Sequence, residues 1–219
     1  MKLKDFFRAA LLKSIVFNFR SLPCKDALKL PIILFGNTRI NSLKGRIEIT
    51  PPLSPGMIRI GRCEVCGMEK FPTTLQVDGV LRFQGKASIG SGSVVQVGRQ
   101  GKLTLGDCFR ITGRSSIFCQ NNISFGENVL VSWDVLFMDS DHHDIFDRGG
   151  TLLNPTGEIV VGDHVWFGCR CTVLKGCSVA DGCVVASGSV LTRAFQESGT
   201  VIGGEPARKV LHSGIEWRS

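Results

Sequence analysis

The sequence predicts an all-β solenoid, a coil of short parallel strands stacked around one apolar interior, and three observations predict it. From Val161 the chain divides into consecutive sixes, VGDHVW, FGCRCT, VLKGCS, VADGCV and VASGSV, followed by LTR. The first place of each six is apolar (Val161, Phe167, Val173, Val179, Val185, then Leu191), and the fifth is small (Val165, Cys171, Cys177, Cys183, Ser189). Gly and Asp fall at fixed places between the β-branched pairs, as turn residues do in a repeat whose units cannot bury a core alone.

The period extends toward the N-terminus less cleanly, through FQGKAS and IGSGSV from Phe83, LGDCFR and ITGRSS from Leu105, and FGENVL and VSWDVL from Phe125, back to about residue 60. The same rule accounts for most of the nine cysteines. Cys171, Cys177 and Cys183 recur at the small inward slot, where a thiol packs as a small hydrophobe. Cys63 and Cys66 form one CxxC without a matching second pair, half of what a structural zinc site needs, so no metal is expected.

A chain of 219 residues with 43% hydrophobic residues and 26 glycines fits one folded unit rich in turns. The net charge of +7 is unevenly placed: residues 1–50 hold 10 Lys+Arg against 3 Asp+Glu, and the other 169 balance at 16 against 16. A basic head on a neutral body argues against a nucleic-acid-binding body and for a head that meets something acidic, such as a phospholipid surface. The start lacks the features of a signal peptide, since Arg8 and Lys13 break its apolar run, and the chain is read as cytoplasmic with reduced cysteines. No apolar stretch approaches the roughly 20 residues of a membrane span.

Three segments follow from this pattern. Residues 1–50 form a basic N-terminal helix and lead-in, 51–193 the solenoid with a loop at 138–158, and 194–219 a C-terminal tail. In the head, Leu3, Phe6, Phe7, Ala10, Leu11 and Ile15 recur at helical spacing with Lys2, Lys4, Arg8 and Lys13 mainly elsewhere on the wheel. Such a helix fits either an anionic membrane or the surface of the chain's own assembly.

The loop, MDSDHHDIFDRGGTLLNPTGE, breaks the six-residue period, is polar and Gly-rich, and holds two of the four histidines. Function concentrates in loops carried on rigid scaffolds. Removing a proton from an attacking hydroxyl or amine calls for a base such as His, and His143 is the chosen candidate with His142 its close rival. Asp139, Asp141 or Asp144 would orient the ring, and spacing alone does not choose among them. His164 sits at a surface place in VGDHVW and His212 in the tail, both read as structural. Scattered histidines also fit poorly with a β-helical carbonic anhydrase, whose zinc needs three that converge.

The run VGDHVWFGCRCTVLKGCSVADGCVVASGSVLTR followed by VIGGEPARKV resembles the C-terminal half of the hexapeptide-repeat acyltransferases, and the resemblance covers about residues 80 to 210. It is similar to sugar and polysaccharide O-acetyltransferases and to maltose and galactoside acetyltransferases. The resemblance implies a left-handed β-helix, an exception to the right-handed crossover rule, and homotrimers with active sites between subunits. It implies acetyl-CoA as co-substrate and a loop His as base, with Asp139, Asp141 and His143 resembling the D-x-D-x-H form of sugar O-acetyltransferases. It also implies that Trp166, Gly168, Cys169 and Ser187 line the pantetheine groove, and that Thr192, Arg193 and Arg208, helped by Lys209, reach the phosphate and adenine end. The chain departs from the common pattern at Cys169, where a small hydroxyl or Gly is usual, and at Phe167, where Ile is frequent.

The expected reaction is direct acetyl transfer to a sugar or glycan hydroxyl in surface polysaccharide biosynthesis. Backbone N–H groups near Gly168 would hold the developing oxyanion, and no acyl-enzyme on Cys169 is needed. Two other readings are carried: N-acetyl transfer to a nucleotide-linked amino sugar, and a noncatalytic scaffold. The expected partners are a small-molecule or glycan acceptor and two further copies of the chain, with peripheral membrane contact through residues 1–22 and no nucleic acid.

Overall fold

A computed structural model describes residues 10–218 except 37, 66 and 69, with the backbone alone at 208–210. The chain is a left-handed parallel β-helix of triangular section. Its first face runs through Ile32–Leu34, Ile58–Arg62, Ala87–Gly90, Phe109–Ile111, Leu130–Val131, Trp166–Phe167, Val184–Val185 and Thr200–Gly204, and ends on Ala207–Ser213. The second face runs from Thr38–Leu43 to Val190–Leu191, and the third from Arg46–Ile49 to Ala194–Phe195, each with seven strands. Every pairing is parallel except the last, where Ala207–Ser213 folds back on Thr200–Gly204 and closes that edge.

The six-residue rule describes the interior. Val161, Phe167, Val173, Val179, Val185 and Leu191 are buried, as are Val165, Cys171, Cys177, Cys183 and Ser189 in the small slot. Ser189 satisfies its hydroxyl by donating to the Ala186 carbonyl at 2.6 Å, so a polar atom there goes unpunished. Earlier coils fill the slot with larger residues: Leu103, Ile123 and Ile159 lie in register with Cys177 on the third face, and Phe109, at the fifth place of LGDCFR, joins Phe125, Phe137 and Phe167 in a spine with ring centroids 4.8, 4.9 and 5.0 Å apart.

The corners obey two further rules. From Phe125 onward the fourth place of the sixes has a left-handed backbone, which Gly176, Gly182 and Gly188 adopt without strain and which Asn128, Asp134, His164 (φ 53°) and Arg170 (φ 60°) adopt as well. The third-place aspartates reach across to the preceding coil, where Asp181 Oδ1 accepts from the Asp163 N–H at 2.8 Å and Asp163 Oδ1 from the Glu127 N–H at 2.7 Å. These bonds occupy backbone donors that the turn would otherwise leave unpaired.

The coil starts earlier than residue 51. Ile32–Leu34 pairs with Ile58–Ile60, Thr38–Leu43 with Thr73–Val77 and Arg46–Ile49 with Val80–Phe83, which makes a full turn inside the predicted lead-in. The sixes fail there because the register slips at Ile40/Ser42 and Ile60/Arg62. Ahead of it lies helix α1, Leu11–Ser21; Leu3, Phe6, Phe7, Lys2, Lys4 and Arg8 of the predicted helix lie outside the described residues. The face of α1 turned to the body is Ser14, Phe17 and Asn18, whereas Leu11 and Ile15 are exposed. Asn18 brackets Ile32, donating to its carbonyl at 2.7 Å and accepting from its N–H at 3.2 Å, and Ser14 Oγ accepts from the Leu34 N–H at 2.9 Å. Two polar side chains thus stand in for a neighbouring strand and cover the open edge of the first face.

Burial pushes the Cys119 and Cys177 thiols up to about 12, with the Asp139 charge adding to the effect at Cys119, while Cys24 and Cys108 are exposed. Titration of the native protein with a thiol reagent is expected to label Cys24 and Cys108 rapidly and to reach Cys119, Cys171, Cys177 and Cys183 only after denaturation. Phe137→Ala, which removes the middle of the aromatic spine, is expected to lower unfolding free energy by about 3–5 kcal/mol in a denaturant titration.

Candidate active site

The period is broken between Met138 and Ile159, at the corner joining the second and third faces. The segment between them is an arm with its own hydrogen bonds. Phe146 and Leu152 form an antiparallel bridge, Leu153 N–H donates to the Ile145 carbonyl at 2.7 Å, and Asp147 Oδ1 accepts from the N–H groups of Gly149 and Thr151 at 2.8 and 2.9 Å. Ile145, Phe146 and Leu153 are exposed along it.

Asp139 stands at the root of the arm. It is fully buried, and its two carboxylate oxygens accept from the N–H groups of Gln120 and Asn121 at 2.7 and 2.8 Å. This is the corner bond that Asp163 and Asp181 make elsewhere, so Asp139 is occupied by the scaffold and unable to orient an imidazole.

Asp141 belongs to a clasp. Its Oδ2 accepts from Lys175 Nζ at 2.6 Å and from Asn154 Nδ2 at 2.8 Å; Asn154 Nδ2 also donates to the His143 carbonyl, and Lys175 to the Asn154 carbonyl. The hydrogen bond from Lys175, then that from Asn154, holds the Asp141 carboxyl below the usual carboxylate range. Lys175 lies at the same corner one coil further on, so the clasp ties the arm to the solenoid and fixes the backbone of His143. Asp141 therefore acts on His143 through Asn154 and the main chain. The rings of His142 and His143 are both exposed, with His142 in a left-handed conformation (φ 60°) and set edge-on to Phe118 at 6.0 Å.

The residues assigned to the donor fall into two groups. Gly168, Cys169 and Ser187 meet at the corner between the first and second faces, with Trp166 beside them on the first. Cys169 Sγ lies 3.5 Å from Ser187 Oγ, and a side chain at Gly168 would meet the Ser187 amide nitrogen at 2.7 Å, so only glycine lets the two coils approach. Ser187 and Gly188 are exposed there, an open corner of small residues that suits an extended pantetheine arm. The Gly168 N–H donates to the Val185 carbonyl at 2.8 Å, however, and is spent on the ladder rather than free for an oxyanion. Thr192 and Arg193 sit at the corner that bears the arm, two coils on, with the Arg193 guanidinium 5.1 Å over the Phe195 ring. The side chains of Arg208 and Lys209 lie outside the described residues, as does Cys66 of the CxxC pair.

Sequence reasoning passed over Lys175, which looks like an ordinary surface residue in its six, over Asn154 in the polar loop, and over Trp217. The Trp217 ring stacks on His164 with centroids 4.1 Å apart and planes 4° from parallel, its Nε1–H donates to the His164 carbonyl at 2.7 Å, and Trp166 lies 6.0 Å away. Trp166 Nε1–H donates to Ser132 Oγ at 3.1 Å. His164 is the seat on which the tail docks.

Residues 158–193 match the family model described as bacterial transferase hexapeptide (six repeats). The match is confined to those residues, the stretch in which the six-residue period is unbroken. It is 34% identical over 140 residues to a 24.8 kDa protein of the cps region of Klebsiella pneumoniae, a stretch that is 64% of this chain and 61% of the relative. It is also 34% identical over 137 residues to the polysialic acid O-acetyltransferase of Escherichia coli O1:K1, here 62% of this chain and 42% of the relative. The chain thus spans about three fifths and about two fifths of the lengths of these relatives. Among solved structures, the polySia-specific acetyltransferase NeuO aligns with a TM-score of 0.53 at 22% identity, over 86% of this chain and 79% of that one, a likeness of fold.

Replacing Lys175 with Ala is expected to free the arm without unfolding the coil. Trypsin should then cut after the exposed Arg148 several-fold faster while the melting temperature of the body stays put. Because the Asp141 carboxyl is held low, the clasp is present above the ordinary Asp range and lost only as pH falls through the lowered value. Cleavage in the intact protein should accordingly be independent of clasp protonation from about pH 5 upward.

Proposed function

We propose that this protein is an acetyl-CoA-dependent O-acetyltransferase acting on a hydroxyl of a sugar or glycan in surface polysaccharide biosynthesis. The observation that carries the reading is the clasped arm: two exposed histidines held at a fixed corner of a hexapeptide solenoid by Asp141, Asn154 and Lys175. The relatives named as polysaccharide acetyltransferases support the substrate class.

His143 acts as general base in this reading. It takes the proton of the acceptor hydroxyl as the oxygen bonds to the thioester carbonyl carbon; the C–S bond breaks, and coenzyme A leaves as its thiol with the proton returned by the imidazolium. The clasp positions His143 through its backbone, and His142 remains the alternative base on the same turn. Trp166, Cys169 and Ser187 line the donor arm and Gly168 allows its wall to close, with Thr192, Arg193 and Arg208 toward the phosphates.

In one protomer the arm and the Gly168–Ser187 corner stand on opposite borders of the second face. A site that uses both is therefore composed between neighbouring copies, in keeping with a homotrimer, and the exposed Ile145, Phe146 and Leu153 give the arm an apolar side to lay against a neighbour.

Thiol release from acetyl-CoA in the presence of sugars and glycan fragments tests the reading. Acceptor-dependent release is expected, and His143→Ala should lower it by about 10²–10⁴-fold with the fold intact. Equal loss in His142→Ala with His143→Ala still active would move the base by one residue. Absence of donor binding would replace the enzyme by a scaffold.

A further inference from the structure

Helix α1 has a second face that the coil does not use. Leu11, Leu12, Ile15, Val16 and Phe19 are exposed by 41, 76, 36, 49 and 44%, and they follow one another at i, i+1, i+4, i+5 and i+8, which makes a single stripe along the helix. Leu28, 70% exposed, lies in the following segment. Five adjacent large apolar side chains form a patch of the kind that marks an interaction surface.

The direction of the stripe follows from the cap. Ser14 and Asn18 bond to the free edge of Ile32–Leu34, whose hydrogen bonds point along the solenoid axis, so the opposite side of α1 looks outward from the blunt end of the coil and not from one of its flat faces. Charge accompanies it. Residues 10–30 contain Lys13, Arg20, Lys25 and Lys29, all exposed, against Asp26 alone. Lys13 and Arg20, seven residues apart, share one border of the stripe, where Lys13 also reaches the Thr38 carbonyl.

An apolar stripe bordered by basic side chains at the end of a rod matches a surface that is anionic outside and apolar a few ångströms below. Pairing of two such ends would bring like charges together, which disfavours a second copy as the occupant. We propose that the N-terminal end of the β-helix seats on an anionic phospholipid surface through α1, with Leu12 and Val16 inserted and Arg20, Lys25 and Lys29 at the headgroups. This goes beyond the acyl-transfer reading and stands or falls without it.

The test uses the full chain and sedimentation with vesicles of phosphatidylcholine containing phosphatidylglycerol, against vesicles of phosphatidylcholine alone. Deleting α1 would uncover the strand edge, so the variant is Leu12→Asp with Val16→Asp, which leaves Ser14, Phe17 and Asn18 in place. Binding to the anionic vesicles, reduced by about tenfold or more in the variant while Cys177 stays shielded from thiol reagents, is the expected result. The proposal is overturned if the intact protein ignores anionic vesicles, if the variant binds as well as the parent, or if light scattering shows that the substitutions split an assembly of the intact protein instead.

Discussion

Everything in this molecule rests on coils stacking in register, each residue lying directly above its counterpart one turn away at the strand spacing of about 4.8 Å. Parallel pairing without slippage makes the six-residue positions into columns, and each column then has its own chemistry. From Val161 onward the first place is a column of Val, Leu and Phe, the fifth one of thiols, methyls and hydroxyls, and the fourth a run of left-handed backbones, while third-place aspartates tie one corner to the next. Cys171, Cys177 and Cys183 need no redox or metal role to explain them, because the column asks only for small volume and no unpaired charge.

That constraint also explains what the sequence displayed and what it hid. From Val161 onward the columns are unbroken, so period, inward residues and surface histidine could be read directly. Toward the N-terminus the register slips at Ile40 and Ile60, and a coil that is physically present from Ile32 no longer advertises itself by sixes. Helix α1 was legible as an amphipathic helix, but its inward side was not. The usual expectation sends the apolar stripe to the core, whereas the edge of a sheet demands donors and acceptors, and Ser14 and Asn18 supply them.

The candidate site divides the same way. His142 and His143 were singled out because they fall where the period fails, and Gly168 and Ser187 because the run that contains them resembles the acyltransferase repeat. The supporting contacts were hidden, since nothing in its six distinguishes Lys175, and nothing in the loop distinguishes Asn154, from solvated polar residues; they become visible only when the arm closes over the neighbouring corner. Spacing left Asp139, Asp141 and Asp144 equal as partners for the imidazole, and only the fold shows that both oxygens of Asp139 bond to backbone one coil back.

The arm leaves and rejoins the coil without disturbing it. Ile123 pairs with Ile159 and Phe125 with Val161, on the same ladder that the neighbouring coils follow, although the residues between Met138 and Ile159 make a longer excursion than those between Ile49 and Ile58 or between Arg62 and Thr73. The count of residues in the excursion is thus decoupled from the count that sets the columns. Variation in its length or content leaves the folding problem of the scaffold unchanged, so the arm and the fold's stability are free to evolve on separate residues, and arms exchanged between such coils at the Met138 and Ile159 junctions would inherit a ready-made foundation.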